Sequence, residues 1–271
     1  MGQSMQRRRG TALVTGASGG IGLELARLLA ADGFDLVLVA RDRGKLADAA
    51  AMLRDRFGAE VHMLPADLSR PDAVANLHAK LREQGINVSV LVNNAGFDVY
   101  GPFWRTDAKA EHDLLQVNVV ALMDLTKALL PDMRRAASGR ILNVASTAAF
   151  APCPWNAVYG ASKAFVLSFS HALAEELSGS GVTVTALCPG PTDTGFARRA
   201  GMARTRLFEG PVAKPASVAR AGYRAMMRGR RSVVAGFGNR VMVQVMRCAP
   251  ARAVARVSAA LFRTRDAAPD A

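Results

Sequence analysis

The feature that most constrains this chain is an alternation that runs through most of its length. Short apolar runs, rich in Val and Leu, are separated by longer amphipathic ones. TALVTG (11–16), DLVLVAR (35–41), EVHMLPAD (60–67), VSVLVNNAG (88–96), RILNVAS (140–146), VTVTALCPG (182–190) and SVVAG (232–236) read as seven strands. Several are apolar without interruption, as a parallel strand covered by helices on both faces must be. Between them, IGLELARLLAADG, KLADAAAMLRDRFG, DAVANLHAKLREQG, residues 111–137 and SKAFVLSFSHALAEELSGSG carry the longer spacing of crossover helices. Gly33, Gly58, Gly85 and Gly179 stand where those helices should stop. No linker breaks the pattern. The expected fold is α/β, a doubly wound parallel sheet of seven strands flanked by helices. One domain spans 10–236, followed by a basic C-terminal helical extension over 237–265.

Composition narrows the class further. Half of the 271 residues are hydrophobic and the mean hydropathy is +0.12, which fits a packed globular chain and excludes a disordered one. Cys153, Cys188 and Cys248 are odd in number and lack metal-ligand spacing, which fits a reducing compartment. His62, His78, His112 and His171 show no ligand spacing either, so no metal is expected. The basic start MGQSMQRRRG leads into a strand and not a signal-peptide core, and Gln6 breaks the acylation pattern that Gly2 suggests. No run of apolar residues is long enough to predict a membrane span, and a cytoplasmic protein is expected. The net charge of +13 is not spread evenly. Residues 1–197 hold 19 basic and 19 acidic side chains, whereas residues 198–265 hold 16 basic ones and a single acid, Glu209. No nucleic-acid motif accompanies that charge, and its arginines sit within apolar helical runs, so no nucleic-acid partner is expected.

In a doubly wound sheet, ligands bind beyond the carboxyl ends of the strands. Gly16, Asp67, Asn93, Ser146 and Pro189 each fall at or just past a strand end. TGASGGIG (15–22) joins the first strand to the first helix. Gly16 suits a tight turn, Gly20 and Gly22 suit close backbone approach, and the helix start offers N–H groups to a diphosphate. A purely structural glycine turn would read the same way. The second strand ends in Ala40 and Arg41 and not in an acid that could hold a ribose hydroxyl. Arg41 could pair with a 2′-phosphate or lie in solvent, as could Arg43 and Lys45. YGASK (159–163) sets a phenol and an ammonium four residues apart on one helical face. They could form an acid–base pair, in which the cation lowers the phenol's pKa, or simply cover a surface.

Taken in order, Gly16, Gly20, Gly22, Asn93-Asn94-Ala95-Gly96, Ser146, Tyr159-x-x-x-Lys163 and Pro189-Gly190 resemble the short-chain dehydrogenase/reductase family over about residues 10–236. The resemblance implies a Rossmann-like fold and NAD(P)-dependent interconversion of a carbonyl and an alcohol. It implies a tetrad of Asn118, Ser146, Tyr159 and Lys163. Tyr159 would act as acid or base, Lys163 would tune it and hold the nicotinamide ribose, Ser146 would polarise the substrate oxygen, and Asn118 would organise a water that links Lys163 to solvent. It carries Thr15, Ser18, Ile21, Leu68, Asn94, Ala95 and Gly96 into the cofactor set. It gives Asp67 to adenine and Pro189, Gly190 and Thr192 to the nicotinamide. Ala40 and Arg41 favour NADP(H), with NAD(H) the alternative. Relatives that prefer NADP often carry a basic residue just before the middle glycine, where this chain has Gly19.

Residues 191–231 form a long connection at the ligand end and read as a substrate lid. Phe196, Met202, Leu207 and Phe208 of that connection, with Val99, Phe150 and Trp155 from other rim loops, are expected to line an apolar pocket for a hydrophobic carbonyl compound. The helical candidates of 237–263 split at Pro250. Arg240 and Arg247 share one side of the first, and Arg252, Arg256 and Arg263 one side of the second. A homodimer or homotetramer with the basic tail on its exterior is expected. Peripheral membrane contact or an acyl carrier protein is the alternative use of that charge. A non-catalytic dinucleotide-binding regulator is the rival function.

Overall fold

Val and Leu side chains on alternate sides of each strand must be covered twice, and the computed structural model of the protein, which describes residues 9–210 and 212–263, shows both covers. The strands are β1 (Thr11–Thr15), β2 (Asp35–Val39), β3 (Val61–Met63), β4 (Val88–Asn93), β5 (Gly139–Val144), β6 (Val182–Cys188) and β7 (Ser232–Val234). They form one parallel sheet in the order β3-β2-β1-β4-β5-β6-β7. Leu36 and Leu38 of β2 face one layer with Leu25 and Leu29 of α1 (Gly20–Ala31), Leu46 and Leu53 of α2 (Arg43–Phe57) and Met226 of a late helix. Val37 and Val39 face the other layer, made by Leu77 and Leu81 of α3 (Ala73–Glu83) and by the helices between β4 and β6. The period of two along a strand thus becomes two separate apolar cores.

The strands are shorter than the apolar runs suggested. The 60–67 run pairs only over Val61–Met63, and the 88–96 run leaves the ladder after Asn93. Beyond Met63, Leu64 and Ala66 still donate to the Leu38 and Ala40 carbonyls at 3.0 and 3.1 Å, but Pro65 between them has no N–H to continue a regular ladder. What was lost from the strands became the rim.

The 111–137 region starts earlier and is not one regular helix. It comprises α4 (Ala108–Leu115), a π-helical turn at Gln116–Val120 and α5 (Ala121–Arg135). By length and composition that run could cross a membrane. Here Ala121, Leu125, Leu129 and Met133 are buried in the second core. The remaining helices are α6 (Ala157–Glu176), the short α7 (Phe196–Arg199), α8 (Pro215–Met227), α9 (Phe237–Cys248) and α10 (Ala251–Phe262). Gly58 ends α2 with φ of 63°, the left-handed turn that glycine adopts without strain. Sheet order reverses between β1 and β4, so the crevice between their carboxyl ends is where a ligand should sit. The basic start through Arg8 and the last two residues of the 237–265 extension lie outside the described residues.

Candidate active site

A cleft of about 840 Å³ opens at this switch point. One end is built by the glycine loop. Gly16, Ser18, Gly20 and Ile21 line it, and Gly19 at the N-cap of α1 offers no side chain to its free N–H groups. The loop is held close by Asn94, whose Nδ2 donates to the Thr15 carbonyl at 2.8 Å, and by Thr15 Oγ1, which accepts from Asn94 and Ala95 N–H at 2.9 Å. A Cβ on Gly22 would stand 2.4 Å from the Gly16 oxygen, so the turn packs only without one. A Cβ on Gly19 would meet nothing within 4 Å. An uncapped helix start beside open space fits a dinucleotide diphosphate.

The second strand brings Ala40 and Arg41 to the same wall, with Lys45 beside them. The nearest acid, Asp42, is occupied elsewhere: it accepts from Lys45 N–H at 3.1 Å as the cap of α2 and pairs with the Lys45 ammonium at 3.4 Å. Arg41 is exposed and makes no ion pair among the described residues. Asp67 and Leu68 line the opposite side, Asp67 accepting from Ser69 N–H and Oγ at 3.1 and 2.9 Å. Ala95, Gly96, Pro189, Gly190 and Thr192 continue the wall towards the catalytic end. Thr192 Oγ1 donates to the Gly190 carbonyl at 2.8 Å.

At that end Ser146, Tyr159 and Lys163 meet. Ser146 begins a short 3-10 turn, its Oγ accepting from Ala148 N–H at 3.1 Å, and its side chain is near enough to the Tyr159 hydroxyl to favour the phenolate. Lys163 is buried, donates to the Val144 carbonyl at 3.0 Å, and lies 5.6 Å from the centre of the Tyr159 ring. Burial lowers its pKa to about 8, against the opposing charges of Asp98 and Cys188. The resting phenol's pKa is set by burial more than by the neighbouring cation. Burial pushes Tyr159 up, Asp98 and Cys153 add to the rise, and Ser146 pulls it down. Desolvation opposes the phenolate, so Tyr159 rests neutral with its proton in place.

Asn118 does not line the cleft. It sits in the π-turn, where Oδ1 accepts from Phe97 N–H at 3.1 Å and Nδ2 donates to the Phe97 carbonyl at 3.0 Å. A Cβ on Gly96 would lie 2.9 Å from Asn118 Oδ1 and 3.4 Å from Lys163 Nζ, so the three converge. Thr15 and Gly22 also lie behind the wall as supports of the loop. Asn93 belongs to the sheet interior, donating to Thr126 Oγ1 and Asn143 Oδ1 at 3.1 and 2.9 Å.

The substrate wall differs most from expectation. Phe196 lines the cleft and packs against Tyr159, ring centres 5.7 Å apart. Val99, Phe150 and Trp155 do not line it. Phe150 packs into a small core with Leu122 and Val166, and Trp155 packs beside Met202 and Phe262 with the Arg263 guanidinium 5.5 Å from its ring. Val99 follows Asp98 in the rim loop, outside the wall. Met202, Leu207 and Phe208 of the lid line it with Phe196, and the places of the other three are taken by Met242, Met246, Leu261 and Phe262 of the α9–α10 hairpin. The extension is thus not merely an exterior decoration, because its inner face roofs the cleft. The i,i+4 pair Met242–Met246, opposite the arginines, was the available signal. Asp98 and Asn156 were missed, since single polar residues in rim loops carry no pattern.

The sequence pattern of the short chain dehydrogenases matches residues 10–204. The chain is a member of the short-chain dehydrogenase/reductase family. It is an NAD(P)-dependent oxidoreductase by that membership. A ketoacyl reductase of Nostoc sp. is 32% identical over 228 residues, covering 83% of this chain and 77% of that protein. The structure of a short-chain dehydrogenase from Sphingobium yanoikuyae in complex with NADPH superposes with a TM-score of 0.80 at 35% identity, covering 96% of this chain and 99% of that one. A bulky-bulky ketone specific alcohol dehydrogenase from Comamonas testosteroni gives a TM-score of 0.75 at 28% identity, covering 96% and 97%.

Proposed function

We propose that this protein reduces bulky hydrophobic ketones to secondary alcohols with NADPH, and runs the reverse oxidation with NADP+. The observation that carries the reading is the composition of the wall next to Tyr159. Phe196 packs on the Tyr159 ring, and Met202, Leu207, Phe208, Met246 and Phe262 line the same cleft, which suits an apolar body larger than a short chain. The similarity to a ketoacyl reductase and to a bulky-ketone dehydrogenase supports the same class. Arg41 without a competing acid supports the 2′-phosphate over a free ribose hydroxyl, and the uncapped start of α1 supports the diphosphate.

NADPH, when bound, supplies the hydride to the carbonyl carbon. Tyr159 gives its proton to the oxygen as negative charge develops there, and a solvent proton restores it. Ser146, whose side chain stands near the Tyr159 hydroxyl, donates to the same oxygen. Lys163 holds positive charge beside the phenol and stabilises the phenolate left after transfer. Asn118 fixes the Phe97 peptide and with it the floor of the site. A homodimer or homotetramer is part of the proposal, supported by exposed Leu115 of α4 and Phe165 of α6.

The test is NADPH oxidation with a graded series of ketones, from acetone-sized to diaryl or long-chain 3-oxo compounds. The expected result is rising kcat/KM with apolar bulk, and with NADPH above NADH. Best turnover on small polar sugars would overturn the substrate class.

A further inference from the structure

The α9–α10 hairpin has two apolar sides, and the cleft uses only one. Met242, Met246, Leu261 and Phe262 point into the cleft, and Val243 and Val254 are buried beneath the hairpin. On the outer side Phe237, Val241 and Val245 follow at i, i+4 and i+8, and are 77%, 49% and 62% exposed, with Val257 of α10 60% exposed. Nothing in the fold requires such residues to face water.

Arginines border this stripe. Arg240 and Arg247 of α9 and Arg252 and Arg256 of α10 are all exposed, and none forms an ion pair among the described residues. No acid occurs anywhere in residues 237–263. The rim loop that adjoins the hairpin adds exposed Phe103 and Trp104. That loop is tied to α10 by the Tyr100 hydroxyl donating to the Phe262 carbonyl, and by Gly101 N–H bonding Trp155, whose ring Arg263 covers.

We infer that the outer face of the α9–α10 hairpin docks on an anionic lipid surface. An apolar stripe bordered by unpaired cations is what such a surface accepts: valines and phenylalanine enter the acyl boundary while arginine stems lie along it and their guanidinium groups meet phosphates. A second copy of the same face is the weaker occupant, because it would bring unpaired arginines against arginines with no acid to offset them. Docking sets the roof of the cleft against lipid, so an apolar substrate held in the bilayer reaches Tyr159 through the hairpin side. The inference concerns binding and does not depend on which ketone is reduced.

The full chain is to be floated with vesicles of phosphatidylcholine alone and of phosphatidylcholine with phosphatidylglycerol. Binding to the anionic vesicles is expected to exceed binding to neutral ones by at least ~10-fold and to fall between about 0.1 M and about 1 M salt, as screening shortens. The variant R240Q/R247Q/R252Q/R256Q, whose residues touch neither cleft nor core, should bind at least ~100-fold more weakly while keeping its turnover on a water-soluble ketone. V241S/V245S should weaken binding at both salts. Absence of binding, equal binding to both vesicles, or undiminished binding by the arginine variant would overturn the inference. So would a halved solution mass for V241E, which would make the face a contact between copies.

Discussion

Asn156 donates to Asp98 across 2.9 Å, and the two side chains are 1% and 7% exposed, next to Tyr159 and Lys163. One oxygen of each, Oδ1 in both cases, has no hydrogen-bond partner among the described residues. Burial raises the Asp98 carboxyl to about 7, against the Val99 N–H and the charge of Lys163. An ionised Asp98 in turn raises the pKa of Lys163. Reduction needs the Lys163 ammonium, so kcat/KM should be level below the Lys163 pKa and fall above about 8. Asp98→Asn removes the charge that favours the ammonium and should move this alkaline limb to lower pH, whereas Asp98→Glu should leave it nearly in place. A limb that stays put in Asp98→Asn would remove Asp98 from the proton economy of the site.

The same carboxyl carries a stability consequence with the opposite sign from an ordinary aspartate. Its folded pKa of about 7 lies above the unfolded value near 3.8, so the folded state binds the extra proton between them. The contribution is therefore favourable at low pH and is lost as pH rises towards 7 and beyond. Asp98→Asn should raise Tm at pH 8 more than at pH 4, as calorimetry at the two values would show.

Tyr159→Phe deletes only the hydroxyl. Turnover should drop by at least ~10²-fold, because the proton has no other donor of matched geometry at that point. NADPH affinity, read by fluorescence titration, should change little. Near-normal turnover would remove Tyr159 from its role as acid.

Arg41→Ala should weaken NADPH by roughly 1.5–3 kcal/mol and NADH by far less, if one charged hydrogen bond to the 2′-phosphate is lost. Calorimetric titration with both dinucleotides checks the difference. Equal affinities in the unaltered protein would point to NAD(H) and leave Arg41 a solvated loop residue.

Met246→Ala, in the half-buried inner face of α9, should lower kcat/KM for a bulky ketone by roughly tenfold through lost apolar contact. Acetone-sized substrates should be unaffected. A uniform loss across the series would mean that the hairpin acts on the fold and not on the substrate.

Much of this protein is local, and the sequence by itself determined it. The alternation of Val-rich runs with amphipathic ones requires a parallel sheet covered twice, because period two and uninterrupted apolarity leave a strand no exposed side. Gly16, Gly20 and Gly22 mark the loop after β1, and Tyr159 and Lys163 share a helical face whatever lies opposite. Where the strands stop was less legible, since Pro65 and the ends after Val39 and Asn93 depend on whether a neighbour is still there to pair. Only the tertiary structure decided what faces the hydroxyl. Val99, Phe150 and Trp155 have the right chemistry for the pocket, yet packing turned them aside and a hairpin from the end of the chain supplied Met242, Met246 and Phe262 instead. It also decided the protonation of the site. The spacing of Tyr159 and Lys163 sets their proximity, but their pKa values follow from burial and from Asp98, 61 and 65 positions away in the chain. Desolvation is a property of everything that surrounds a group, and no short stretch of sequence contains it.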